Sequence, residues 1–117
     1  MSGYIQHLDR EYSITEDVCV FVHNSSGIGL MELPGIFEVL KPDVVLTVGD
    51  RFETMATVLA ASYMNIPLAH TMGGEVSGNI DENIRHAVTK LSHIHFAACS
   101  DAKDRILRLG EEPSRVH

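Results

Sequence analysis

Short apolar runs alternate along the chain with segments in which apolar residues recur every three or four positions. Runs with the length and composition of β-strands lie at Val18–Val22, Val44–Val48, Pro67–Thr71 and His95–Cys99. Helical stripes follow them, carried by Leu33, Phe37 and Leu40, by Met55, Val58, Leu59 and Ser62, by Ile84, Ala87, Val88 and Leu91, and by Ile106, Leu107 and Leu109. The pattern predicts a strand followed by a helix, repeated four times.

Breaker residues set the expected ends of the first helix. The cluster Asn24–Gly27 separates it from the preceding strand, and Pro34 lies early in it, where a missing N–H is least costly. The segment Lys41–Asp43 is expected to end it. Residues 1–16 are weakly patterned, so we assign the regular fold to residues 17–117.

The later helices have their own boundary signals. The third helix is expected to begin near Asp81 or Glu82. Ser100 is a suitable N-cap for the last helix, and Gly110 is a suitable residue just beyond its end.

Alternating strands and helices predict an α/β fold with a parallel sheet and right-handed crossovers, a Rossmann-like α/β/α layer. Val44–Val48 is apolar at every position but one, as expected of a central strand covered on both faces. Ligands bind such sheets at the carboxyl ends of the strands. Three strand exits, Asn24–Gly27, Gly49–Glu53 and Met72–Asp81, are therefore expected to open on one edge.

The segment from His70 to His86 concentrates the polar chemistry. It holds three carboxylates, two histidines, an arginine and three glycines within 17 positions. Glycines let a backbone approach a ligand closely, and carboxylates and imidazoles are the usual proton-transfer groups. The alternative is a solvated polar loop with two turns.

Asp50 directly follows a predicted buried strand, and its carboxylate is expected to face the ligand crevice. The alternative role is an N-cap of the next helix, and both roles are compatible. Arg51 is expected to contact a phosphate or to pair with a neighbouring carboxylate. Gly73 and Gly74 permit close approach to a ligand, with Glu75 pointing out of a turn; the alternative is a simple turn with a solvated glutamate.

Asp81 and Glu82 head a helix beside the same edge, with Arg85 and His86 one turn further on. Together with Glu75 they are expected to repel one another and to raise the pKa of at least one carboxyl towards neutrality. The alternative is the routine stabilisation of a first helical turn by acidic residues.

Histidines offer a weaker metal hypothesis. His93 and His95 are expected to share a strand face, with His86 nearby, but neither cysteines nor carboxylates occur at a convincing ligand spacing. Packed or solvent-edge histidines are therefore favoured and no metal or other cofactor is predicted. Phosphate-loop, G-x-G-x-x-G and nucleophile-elbow motifs are also lacking in the sequence.

Composition limits the classes of partner that the chain is expected to bind. The 117 residues carry a net charge of −7, with nine scattered basic residues, which argues against a nucleic-acid or anionic-membrane surface. No apolar run reaches membrane-spanning length. Cys19 and Cys99 lie in apolar, strand-like contexts and are interpreted as buried free thiols in a reducing cytoplasm, although a disulfide stays open.

Three segments together resemble the hydrolysing UDP-N-acetylglucosamine 2-epimerases of sialic and legionaminic acid biosynthesis. They are Lys41–Val45, Gly49–Arg51 and the long string His70–His93. The similarity runs from about Leu40 to His117, and residues 1–39 fit more loosely. It implies part of the N-terminal domain of a two-domain, glycosyltransferase-B-like fold with the active site between the domains.

The resemblance also implies a reaction and its residues. UDP and the C2 proton are lost to give a glycal-like intermediate, and water then adds to leave N-acetylmannosamine or a 2,4-diacetamido analogue. Carboxylates at Asp50 and Asp81 match positions that the family uses for this proton-transfer chemistry, and Glu82 with Arg85 matches a glutamate-x-x-arginine of the non-hydrolysing relatives. The resemblance therefore implies that Asp50, Asp81 and Glu82 are the catalytic residues. The implied contacts to the UDP-sugar are Arg51, His70, Gly73, Gly74, Glu75, Ser77, Arg85 and His86.

Two departures from the family pattern shape the expectations. Met72 stands where the family usually has Glu or His, and a thioether cannot transfer a proton. The resemblance also places a strand and an arginine loop before this chain and a second domain after it, so we expect an internal piece, inactive alone and marginally stable or homo-oligomeric. A catalytically dead remnant and a non-catalytic nucleotide-sugar-binding α/β module are the alternatives.

Overall fold

The fold is a short parallel sheet with helices in its connections. The computed structural model describes residues 16–117, with side chains from Ser25 onward. In chain order the elements are α1 (Glu16–Leu40), β1 (Val45–Val48), α2 (Phe52–Tyr63), β2 (Leu68–Thr71), α3 (Ile80–Leu91), β3 (Ile94–Phe96), α4 (Ser100–Arg108) and a 3₁₀ turn (Pro113–Arg115).

The three strands lie in the order β1-β2-β3, and both pairs are parallel. Thr47 lies beside His70, and His70 beside His95, so these three side chains share one face of the sheet. Beyond β3 the chain returns to the sheet, because Val116 bridges His95 in parallel. The predicted α/β class with a parallel, Rossmann-like sheet is confirmed.

The core lies between this face and the helices. Leu68 of β2 packs with Val58 of α2 and Val88 of α3, all fully buried. Phe37 of α1 closes the cluster, and Ile84 and Leu91 pack against it. Of the stripe predicted for α2, Met55 and Val58 belong to the core or pack against it, as do Ile84, Val88 and Leu91 of the stripe predicted for α3. The core also takes in Ala60 and Ala61 of α2, which the stripe did not include.

The first predicted strand is wrong. Val18–Val22 lies inside α1, which runs unbroken from Glu16 to Leu40 through the expected breakers Asn24–Gly27. A short apolar run does not distinguish strand from helix, and packing against α2 outweighs the weak helix propensity of Gly27 and Gly29. A Cβ at Gly29 would lie 3.3 Å from the Cβ of Ala56, so glycine permits this close approach of α1 and α2. The predicted end of the helix at Lys41 is confirmed.

The expectation that β1 is covered on both faces is also wrong for the described residues. Thr47 is buried, whereas the alternate side chains Leu46 and Val48 are 57% and 64% exposed. The sequence shows only that these residues are apolar. Whether another element covers them depends on tertiary packing, which the sequence pattern does not contain.

Boundaries near the end of the chain shift by a few residues. β3 ends at Phe96, and Cys99 is an exposed free thiol at the N-cap of α4, so the predictions of a buried Cys99 and a Ser100 cap are wrong. The side chain of Cys19 lies outside the described residues. Gly110 has a φ of +91° just beyond α4, as predicted. Within residues 16–117 no helix is both long and apolar enough to span a bilayer.

Candidate active site

Two strand exits meet at the carboxyl edge of the sheet. The turn after β1 carries Gly49 and Asp50, and the loop after β2 runs from Met72 to Asn79. The Gly49 N–H donates to the Thr71 carbonyl over 3.3 Å, which joins the two exits directly. The third expected exit, Asn24–Gly27, is helical and does not contribute as a strand end.

Arg85 connects these two exits. Its guanidinium is 7% exposed and forms an ion pair with the Asp50 carboxylate. It also donates to the Glu75 carbonyl and, over 3.3 Å, to the Ser77 hydroxyl. A planar guanidinium suits this arrangement because it offers several donors in fixed directions. Arg85 thus brings Asp50, from one strand, to the loop that follows the next.

Glu82 stabilises the same loop from the first turn of α3. Its Oε2 accepts hydrogen bonds from the N–H groups of Ser77 and Gly78 over 2.9 and 2.7 Å, and so reaches the two residues before the N-cap Asn79. These bonds, with a smaller contribution from His86, lower the pKa of Glu82 below 4.5. The expected upward shift from mutual repulsion is therefore wrong for Glu82, because donors surround its carboxylate.

Asp81 and His86 lie at the margin of this arrangement. The Asn79 amide donates to Asp81 over 3.3 Å, and Asn79 also accepts from the Ser77 hydroxyl over 2.8 Å. His86 lies 3.5 Å from the other oxygen of Glu82, one turn along α3. Both residues are half-buried.

Arg51 lies apart from the buried pair. Its side chain is 75% exposed, 3.3 Å from Glu53 and over the ring of Phe52. Of the two roles expected for it, pairing with a carboxylate is realised, although the partner is Glu53 and not Asp50. Arg51 also occupies the N-cap position of α2, so the alternative of an Asp50 cap is wrong.

The two glycines of the loop are set deep in the fold. Gly73 packs against the His70 ring and Thr89. A Cβ at Gly74, whose φ is +77°, would overlap the carbonyl of Ala102 in α4. The Gly74 carbonyl accepts from Arg105 over 3.2 Å. Sequence reasoning missed Arg105 and Thr89, because nothing in the linear pattern places α4 against this loop.

The close packing of Gly74 leads us to expect that a larger side chain there lowers the stability of the fold. Gly74→Ala is expected to lower the free energy of unfolding of this chain by about 2 to 5 kcal/mol, combining backbone strain with overpacking. Gly78 is the matched control: its φ is +70°, but among the described residues no atom lies within 4 Å of a Cβ built there. Gly78→Ala should cost only about 1 to 2 kcal/mol. Urea unfolding measures both, and equal losses would contradict the packing argument.

The histidines are divided among unlike environments. His93 accepts the Leu68 N–H over 3.2 Å, His95 is buried 3.3 Å from Glu111, and His86 faces Glu82. Lys90 also contacts Glu111 over 2.5 Å. In the described part of the chain no group of three histidine, cysteine or carboxylate side chains is arranged to hold a metal ion.

Burial of two imidazoles predicts a pH-dependent stability. Desolvation lowers the pKa of His70 and of His95 below 6.5, although the Gly49 carbonyl opposes the shift at His70 and Glu111 opposes it at His95. Below about pH 6.5 the unfolded chain therefore binds more protons than the folded chain. This contribution to stability is complete above about pH 6.5 and is lost as the pH falls towards the lowered values.

We therefore expect the urea midpoint to fall between about pH 7.5 and 5.5. The double variant His70→Gln, His95→Gln should flatten this dependence, whereas His117→Gln, at an exposed ring, should leave it unchanged. An equally steep profile in the double variant would show that other groups are responsible.

Comparison with known proteins identifies the family. The family model described as UDP-N-acetylglucosamine 2-epimerase matches residues 6–117. The chain belongs to this epimerase family. The match begins well before Leu40, so the N-terminal region, which fits the resemblance loosely, also falls within the family pattern.

Individual relatives and structures give the same assignment. The chain is 47% identical over 90 residues to a hydrolysing UDP-N,N'-diacetylbacillosamine 2-epimerase of Legionella pneumophila, covering 77% of the chain. It is 38% identical over 120 residues to the GDP/UDP-N,N'-diacetylbacillosamine 2-epimerase of Campylobacter jejuni, covering 95%. The fold matches the Neisseria meningitidis epimerase solved with UDP-GlcNAc, at a TM-score of 0.77 and 31% identity over 81% of the chain.

The chain spans only part of the length of these proteins. It spans 24% and 31% of the two relatives' lengths and 27% of the Neisseria structure. What it shares with them is therefore one part of an epimerase fold.

Proposed function

We propose that this chain forms part of the active site of a hydrolysing UDP-sugar 2-epimerase. The observation that carries the proposal is the ion pair of Arg85 with Asp50, which brings a carboxylate from the β1 exit to the loop before α3, close to Asp81 and Glu82 in the first turn of that helix. These groups cluster at the carboxyl edge of a parallel sheet, which is where α/β proteins bind their ligands. The family membership and the two relatives with hydrolysing names support the same reaction.

The chemistry has two stages in this proposal. A carboxylate takes the proton from C2 as the C1–O bond breaks, which releases UDP and leaves a C1=C2 double bond. Water then adds its oxygen to C1. C2 receives a proton on the face opposite to the one from which the first proton was taken, which gives the free epimeric sugar. General acid–base groups must therefore lie on both faces of the ring.

Residue roles follow from the environments. Asp50, held against Arg85, and Asp81, at the open end of α3, are assigned to proton transfer. Glu82, whose pKa is lowered, stays ionised and orders the loop. Gly73 and Gly74, which are buried, fix the course of the loop that carries Glu75 and Ser77.

The remaining side chains of the predicted site are assigned to binding the substrate. Arg51 is exposed and cationic, which suits a leaving diphosphate. The contacts to the sugar are assigned to Glu75, Ser77 and His86.

We propose a UDP-2,4-diacetamido sugar as the substrate, because both relatives described above carry diacetylbacillosamine in their names. UDP-N-acetylglucosamine is the competing substrate. The nucleotide is expected to lie between this domain and a second one, since the chain spans only 24% of the Legionella relative.

Met72 favours a second candidate, a domain that keeps the fold and binds a nucleotide sugar without turning it over. A thioether cannot give or accept a proton, and Met72 is 43% exposed at the exit of β2. The two candidates differ in turnover and not in binding.

A transplant tests the proposal. The matching 90-residue segment of the Legionella relative is replaced with that of this chain, and UDP release is measured with both UDP-sugars. We expect slow turnover that prefers the diacetamido sugar, and no UDP release from the 117 residues alone. A folded chimeric enzyme that stays inactive even with Met72→Glu, but binds UDP-sugar, would support the second candidate.

A further inference from the structure

His70 lies at the centre of the sheet, and its side chain is fully buried. Its Nε2 is 2.8 Å from the Gly49 carbonyl oxygen. A carbonyl only accepts, so Nε2 carries the hydrogen and donates it. The ring of β2 is thereby tied to the turn that carries Asp50.

The other side of the ring faces the glycine loop. A Cβ built on Gly73 would lie 3.2 Å from Nδ1 of His70 and 3.1 Å from the Thr89 hydroxyl. Within the described residues Nδ1 has no hydrogen-bond partner, so the contact with Gly73 is one of packing. Thr89 donates in turn to the Arg85 carbonyl over 2.9 Å, on the helix that supplies the guanidinium.

The imidazole therefore spans two chain segments that carry the candidate site. Gly49, with a φ of +73°, precedes Asp50 directly, and Gly73 precedes Gly74 and Glu75. The Asp50 carboxylate reaches Arg85 only when the Gly49 turn keeps its direction. The His70 ring therefore affects the position of the Asp50–Arg85 pair through this turn, without a hydrogen bond to either side chain. A fully buried side chain is also shielded from any substrate in the crevice.

We propose that His70 is a positioning residue, whose Nε2–H holds the Gly49 turn while its ring supports Gly73, so that Asp50 and the glycine loop keep a fixed separation. This assignment replaces the substrate contact expected from the family resemblance. Its consequence for catalysis rests on the proposed epimerase function, whereas its structural part does not.

The structural part is tested on this chain with two variants. His70→Gln keeps a donor near the position of Nε2, and His70→Phe keeps the ring volume without a donor. Long-range ¹H–¹⁵N spectra are expected to show the Nε2–H form of His70. Hydrogen exchange at the Gly49 amide should accelerate by about 2- to 10-fold in His70→Phe and less in His70→Gln.

His95→Phe is the matched control, because His95 is equally buried on the neighbouring strand but contacts Glu111. It should leave exchange at Gly49 unchanged. An Nδ1–H form, a charged ring at pH 7, or equal effects of the His70 and His95 variants on Gly49 would overturn the proposal.

The catalytic part is tested in the chimeric enzyme. His70→Phe should lower kcat by roughly 100-fold, since a displacement of about 1 Å costs that much, while KM changes little. His70→Gln should restore most of kcat, and His95→Phe should retain it. A chimera that is inactive with His70 intact argues against the proposed function and not against the structural role of His70. An active chimera in which His70→Phe leaves kcat unchanged argues against the positioning role.

Discussion

Replacing Asp50 with asparagine is expected to lower UDP release by the chimeric enzyme by about 100-fold or more. Asparagine keeps the shape of the side chain but cannot accept a proton, and general acid–base groups contribute about 10²- to 10⁴-fold. It also removes the negative charge that faces the buried Arg85 guanidinium. The measurement is kcat under saturating UDP-sugar, with the folded fraction determined for each variant.

Loss of stability must be separated from loss of chemistry in this experiment. Asp50→Asn weakens a charged hydrogen bond, which costs about 1 to 3 kcal/mol. Asp43→Asn is the matched control, since Asp43 is exposed in the segment before β1. It should leave kcat unchanged. An Asp50→Asn enzyme that is folded and within about threefold of its parent would show that Asp50 does not transfer a proton.

Met72→Glu is expected to raise kcat of the chimeric enzyme by about 100-fold or more, because it restores a proton-transfer group to the β2 exit. The site tolerates a carboxylate, since the Met72 side chain is 43% exposed and its N–H donates to the Phe96 carbonyl over 3.0 Å. Initial rates of UDP release with the two UDP-sugars measure the gain.

Two further variants at the same position separate the effect of proton transfer from that of side-chain polarity and size. Met72→Gln is polar and similar in size, and Met72→Leu is apolar; neither carries an acid or base. Neither should show the gain expected of glutamate. A gain in Met72→Gln equal to that in Met72→Glu would assign the effect to polarity and not to proton transfer.

Periodicity alone predicted the helices and strands that build the core. Val58 and Val88, each a member of a predicted stripe, are buried in the core, and the run before Gly49 became β1. It failed at Val18–Val22, where a short apolar run occurs within a 25-residue helix. Local sequence does not separate these outcomes, because a short apolar run is compatible with either element.

The sequence predicted which strand exits would meet, but not which side chains would join them. The order of strands predicted that the exits holding Asp50 and Glu75 would meet, and the structure joins them through Arg85. The sequence did not indicate that Arg85 rather than Arg51 would pair with Asp50. One arginine is carried inward by the buried side of α3, and the other stays in solvent at the N-cap of α2.

The sequence by itself determined the α/β class, the edge at which polar groups gather and the family, because strand and helix periods and a long specific motif are local properties of the chain. Only the tertiary structure decided that Arg85 pairs with Asp50, that Glu82 accepts hydrogen bonds from loop N–H groups, and that His70 is buried against the Gly49 carbonyl. These facts depend on which segments pack together across the sheet, so burial and distance, which no linear pattern contains, assign the roles.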